Sequence, residues 1–280
     1  MTGPVVVGFD GSPESVAATA WAAREARRRD CPLELLQAWP RPERTAADGD
    51  HARQQSLERL SARAAELRST VEVTVASSQV PGAPAEALEA AARTAALLVL
   101  GSRGLGAVRG FLVGSVSQEV LRRAACPVVL VRAGEDRPDG PVLVGVDLAH
   151  PMDDVLAFAF DAAARRSAPL RVVHVWSPPV GSEYMAFEAI GSLSGELSAA
   201  ERTGFTELLE PWRARCPGVA VTADLVRGAP AVALVDAAAD ARLLVVGRRA
   251  RRTLLGTHLG PVAHAAIHHV RTPVALVPHA

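Results

Sequence analysis

Residues Gly101 to Val116, GSRGLGAVRGFLVGSV, place five glycines in sixteen positions, directly after the apolar run LLVL. Bare backbone lets a ligand approach closely and reaches positive φ, where a Cβ costs about 1–2 kcal/mol. The stretch ends at Gly114-Ser115, where a helical pattern begins. A helix N-terminus offers unpaired N–H groups and a partial positive charge of roughly half a unit, which attracts anions. Arg103 and Arg109 lie in the same stretch and add charge-assisted donors. This chemistry suits a phosphate-bearing ligand. Two blander readings stand beside it: a glycine-rich surface turn, and a capping box at Ser115-Val116-Ser117-Gln118 that needs no ligand.

Other chemistries are narrowed by what the chain contains. All thirty basic residues are arginine, so a Walker loop and Schiff-base catalysis are excluded. Gly104, Gly106 and Gly110 imitate a dinucleotide fingerprint. They follow the fourth apolar run rather than the first, however, and the next run ends in Arg132 instead of a carboxylate. Thirty acidic residues balance the arginines, which argues against a dedicated nucleic-acid binder. Cys31, Cys126 and Cys216 each precede a proline and show no disulfide or metal spacing. His264 and His268 have i, i+4 spacing, but without a third ligand they read as helix-surface residues. No serine sits in a nucleophile-elbow context. No apolar run reaches membrane-spanning length, and the N-terminus lacks a signal-like pattern, so a cytoplasmic protein is expected.

The elements that must position the glycine stretch occur twice. Residues 5–39 align without a gap to 142–176, with Asp10 opposite Asp147 and Trp39 opposite Trp176. Residues 82–131 align to 228–277 with about 21 of 50 pairs identical. This predicts two similar domains, 1–134 and 142–280, joined by a polar linker at 135–141. In the first copy the apolar runs VVVGF, LELLQAW, VEVTVA, ALLVLG and PVVLVR alternate with helical stretches Pro13–Arg29, His51–Arg68, Pro84–Arg93 and Ser115–Arg123. Continuous apolar strands alternating with helices imply an α/β fold with a parallel sheet covered on both faces. Ligands settle at the carboxyl ends of such strands, where Asp10 and the glycine stretch would meet. The stretch 177–204 reads as a flap beside the second crevice.

The spacing Gly101, two residues, Gly104, nine residues, Gly114-Ser115 resembles the nucleotide-binding signature of the universal stress protein family. VVVGFDGSPES at the start and ACPVVLVR at the end extend the resemblance, which covers the whole chain as two copies. It implies two open five-stranded sheets of order 3-2-1-4-5, of the adenine nucleotide alpha hydrolase-like type, with ATP bound and Mg²⁺ as an accompanying ion. By resemblance, Asp10 would contact ribose or adenine, and Ala38 would present backbone to the adenine. Gly101, Arg103 and Gly104 would line the phosphate path. Gly114, Ser115 and Val116 would bring helix N–H groups and a hydroxyl to the triphosphate. In the second copy Gly247 is kept, but Ala250 and Pro261 replace the second glycine and the serine, and arginines 248, 249, 251 and 252 crowd the loop. That copy reads as degenerate.

The implied function is a nucleotide-dependent stress-response regulator with an unknown protein partner. Its alternatives are a slow ATPase, an adenylyl- or phosphotransferase, or an oligomerising protein without nucleotide. The fifth strands of the two domains are expected to pair edge to edge, and homodimerisation stays open.

Overall fold

The computed structural model describes residues 3–39, 47–102, 113–134, 139–177, 187–249, 251–253 and 256–279. The first half runs β1 (Val5–Gly8), α1 (Pro13–Arg29), β2 (Leu33–Trp39), α2 (Ala47–Thr70), β3 (Val75–Pro81), α3 (Pro84–Ala91), β4 (Leu97–Gly101), α4 (Ser115–Arg123) and β5 (Val128–Val131). The second runs β6 (Val142–Val146), α5 (Asp153–Ala164), β7 (Leu170–Trp176), α6 (Phe187–Arg215), β8 (Val221–Arg227), α7 (Pro230–Ala237) and β9 (Leu243–Arg249). A hairpin, β10 (Arg251–Thr253) and β11 (Gly256–His258), precedes α8 (Pro261–His269) and β12 (Val274–His279).

Each half has the order 3-2-1-4-5, and the two join into one ten-stranded sheet, β3-β2-β1-β4-β5-β12-β9-β6-β7-β8. Every pairing inside a half of this sheet is parallel; β5 and β12 meet antiparallel, with Val129 opposite Ala275. Strand alternation splits the core into two layers. One layer gathers Val5, Val7, Val144 and Val172 of the sheet with Trp21, Leu60, Phe160 and Trp212 from α1, α2, α5 and α6. The other gathers Val6, Leu98, Leu143 and Leu244 with Leu88, Val120, Leu234 and Ile267 from α3, α4, α7 and α8.

Two elements differ from the sequence expectation. β3 starts at Val75 rather than at Val71, because α2 runs on to Thr70 and the Val71 amide still donates to Leu67. Val71 and Val73 therefore pack on the core from a turn, not from the sheet. Most of the expected flap at 177–204 is helix, since α6 begins at Phe187; residues 178–186 lie outside the described set.

Buried charges cross between the halves. Glu25 of α1 has no solvent exposure and lies 2.5 Å from Arg166, just past α5, and 2.7 Å from Arg29. Arg29 also reaches Asp161 of α5 at 3.2 Å. Burial opposes the charge on Glu25, but Arg166, Arg29 and Arg28 outweigh it and hold its carboxyl below the usual range.

Candidate functional site: two crevices at the strand ends

In the first half, Asp10 follows β1 and its Oδ1 accepts the Ser12 amide at 2.9 Å. Ser12 in turn caps α1 by accepting the Ser15 amide at 3.2 Å, with Pro13 opening the helix. This fixes the carboxylate at the carboxyl end of β1. On the neighbouring strand, Ala38 pairs with Val80. Gly101 closes β4, where an added Cβ would lie 2.9 Å from the Glu14 carbonyl carbon and 3.0 Å from the Ser15 nitrogen. Only glycine lets the first turn of α1 sit this close, so packing as well as phosphate access explains that residue.

The Gly114 amide donates to the Ser102 carbonyl at 2.8 Å, tying together the two ends of loop 103–112. Ser117 Oγ donates to the Gly101 carbonyl at 3.1 Å and fastens α4 to β4. Gly114 is the N-cap of α4 and Ser115 its first residue. The capping-box alternative is therefore not formed, and no side chain among the described residues caps this helix. The structure thus places Asp10, Gly101, Gly114, Ser115 and Val116 on adjoining strand ends and one helix start. Arg103 and Gly104 lie outside the described residues.

In the second half a cavity of about 260 Å³ occupies the corresponding place, at the ends of β6, β7 and β9 and the start of α8. Asp147 repeats the turn of Asp10, accepting the Ala149 amide at 3.1 Å, and also meets His150 Nδ1 at 2.7 Å. Partial burial works against its charge, yet the Ala149 amide and the His150 ring prevail and keep its carboxyl below the usual range. α5 starts later than the alignment implies. Ala149 stands where Ser12 caps α1, and it carries no acceptor, so the helix opens only at Asp153. The imidazole of His279 packs on Gly247, where an added Cβ would lie 2.5 Å from Nε2, and it lines the cavity with Met152. Gly260 and Pro261 open α8, again without a side-chain cap.

Both halves of the chain, residues 1–132 and 140–278, match the profile of the Universal stress protein family. The chain belongs to the universal stress protein family. A universal stress protein of Mycobacterium tuberculosis is 36% identical over 287 residues, covering 96% of this chain and 95% of its own. One from Mycolicibacterium smegmatis is 32% identical over 292 residues, covering 98% and 96%. The crystal structure of a universal stress protein from Archaeoglobus fulgidus superposes with a TM-score of 0.68 at 19% identity, covering 99% of this chain and 98% of that one.

Against the two-copy plan of this chain, three residues escaped sequence reasoning. His174 is buried beside the second crevice: Nδ1 donates to the Val146 carbonyl at 3.0 Å, and Nε2 meets Glu201 of α6 at 2.9 Å. Its signal was a polar residue inside the strand LRVVHVW, opposite Gln37 of the first copy. His279 gave no such signal, because Ala133 opposes it. Arg248 reads as one of a crowd of loop arginines, but it is only 4% exposed and reaches away from the crevice to the carbonyls of Arg122 and Ala124. Its neighbour Arg249 does line the cavity.

The remaining candidates carry little chemistry. The rings of His264 and His268 lie 4.4 Å apart on α8, tilted by 39°, and among the described residues no group of three or more metal-ligating side chains forms. Burial pushes the Cys126 thiol up to about 11, which leaves it unreactive. Among the described residues no helix is long and apolar enough to cross a membrane.

Proposed function

We propose that the first crevice binds an adenine nucleotide, ATP, and that its occupancy makes the protein a nucleotide-dependent regulator of a stress response. The observation that carries this reading is the uncapped start of α4 at Gly114-Ser115-Val116, held against the end of β4 beside Asp10. Free amides at 115 and 116, one hydroxyl and a helix dipole suit phosphate oxygens, while a fixed carboxylate on the neighbouring strand suits ribose hydroxyls. The donor set fits ATP. The described residues offer no carboxylate cage for Mg²⁺, which would rely on the phosphates themselves.

ATP that binds only the folded chain raises its melting temperature by mass action, worth about 2.7 kcal/mol at a hundredfold excess over Kd. Ser115→Pro copies the second half's residue, which suits a first helical turn, so the fold should persist. It removes one amide and one hydroxyl. Loss of a hydrogen bond to a charged group amounts to about 1.5–3 kcal/mol, so affinity should fall tenfold or more by isothermal titration. Unchanged affinity in Ser115→Pro, or no thermal shift with ATP, defeats the reading.

The second cavity favours a second nucleotide place of different character. It keeps Asp147 and the helix start of α8, but it offers Arg249 and His279 where the first half has Arg103 and Ala133.

A further inference from the structure

Arg248 sits between two residues that line the second cavity, Gly247 and Arg249. Strand alternation turns its side chain to the other face of the sheet, where α4 of the first half lies. There Nη1 donates to the Arg122 carbonyl at 3.3 Å and Nη2 donates to the Ala124 carbonyl. These are terminal acceptors of α4, otherwise left open at a helix end. Among the described residues no carboxylate pairs with this guanidinium, which is 4% exposed. Its counter-charge is the negative end of the α4 dipole. The opposite end of α4, about 13 Å away for nine residues, is Gly114-Ser115-Val116.

We propose that Arg248 couples the two crevices, passing occupancy of the second cavity to the phosphate-facing start of α4. A ligand in the cavity fixes the backbone on both sides of Arg248. The guanidinium holds the last turn of α4, and Ser117 fastens the first turn to Gly101. Because α4 spans only nine residues between these two anchors, a change in how Arg248 holds its last turn alters the strain on its first turn, at Ser115. The internal repeat supplies a contrast. Ser102 occupies the place of Arg248 in the first copy, and its hydroxyl has no partner among the described residues. Arg132 instead donates to the Ile267 carbonyl of α8 at 2.8 Å, from the fifth strand rather than the fourth. Among the described residues the link from β9 to α4 therefore has no mirror image, and by linkage it acts equally in both directions.

This inference rests on the nucleotide reading of the first crevice, and the test keeps the two apart. Val262 lines the cavity and is only half-buried, so Val262→Trp plugs it. ATP affinity of the first crevice, identified as the binding phase weakened by Ser115→Pro, is compared in the full chain, Val262→Trp, Arg248→Met and the double variant. Coupling of ordinary strength changes affinity about fivefold or more on plugging the cavity. That change should vanish in the Arg248→Met background and partly return with Arg248→Lys. Equal effects of the plug with and without Arg248 overturn the proposal. Hydrogen exchange of the 118–124 amides is read in the same four proteins without nucleotide. Exchange there should respond to the plug only when Arg248 is present. No response overturns the coupling whatever ATP does, whereas a response without ATP binding overturns the nucleotide reading alone.

Discussion

Glu25 lies on the inner face of α1 with no contact to solvent, and three arginines from two parts of the chain converge on it. Burying an ion is expensive, and the charge is retained only because its partners are also in place. Its folded pKa lies below the unfolded one. The stability it contributes is therefore complete above the ordinary carboxylate range and is lost as pH falls through the depressed value. Glu25→Gln leaves buried Arg166 and Arg29 without their carboxylate, so urea denaturation at neutral pH should show a loss of about 3–5 kcal/mol. The variant should also lose less stability than the parent protein between neutral pH and mild acid. An equally steep acid limb would show that other carboxylates dominate. Nothing in the sequence marks this residue, because REARRR reads as a solvated helix end. The placing of Asp10, Gly101, Gly114 and Ser115 was legible for the opposite reason: strand ends and a helix start were marked locally, and the glycine spacing resembles a family signature. Arg248 needed the fold, since its acceptors lie 124 and 126 residues away.

At the level of elements, a strong local signal was enough for α1 and α4. Ser12-Pro13 and Gly114-Ser115 mark their starts, and α1 at Pro13–Arg29 and α4 at Ser115–Arg123 coincide with the expectation. α5 shows where alignment misleads. The two copies match without a gap, yet one capping serine replaced by Ala149 moves the start of the helix to Asp153. That change reaches the crevice. A Cβ at Gly101 would first meet Glu14 and the Ser15 backbone in the first turn of α1, whereas one at Gly247 would first meet the ring of His279. Backbone in a well-packed place cannot step aside, while the end of a side chain can. Gly101→Ala should therefore destabilise the protein by about 1–3 kcal/mol, and Gly247→Ala by clearly less, in the same denaturation assay. Equal losses would mean that His279 is held as rigidly as the α1 backbone. β3 was misplaced because VEVTVA alternates like a strand, while the amide ladder of α2 still reaches its first residue, Val71, and pairing starts only at Val75.

For the whole molecule, the repeat made the two halves readable, while the strand order and the fifth-strand pairing came from the family resemblance, to which two short apolar edges in need of cover lent support. The consequence is a junction placed in the middle of the sheet. β5 is buried at every position, as is β12 from Val274 to Val277, while the outer strands β3 and β8 are largely exposed or half-buried. Charged contacts reinforce the same seam, with Glu25 to Arg166, Arg29 to Asp161, Arg132 to α8 and Arg248 to α4. Where two domains merely touch, their interface opens before either core does. Here opening the seam would expose a buried strand of each half at once. Amide exchange should therefore slow from the edges inward: β3 and β8 open locally, while β5 and β12 exchange only with global unfolding. Measured in the intact chain at several low denaturant concentrations, β5 and β12 amides should converge on the same free energy and denaturant slope as β1 and β6. If they exchange through a smaller opening than β1 and β6, the two halves are separately stable bodies in contact, and the continuous sheet is not what holds them together.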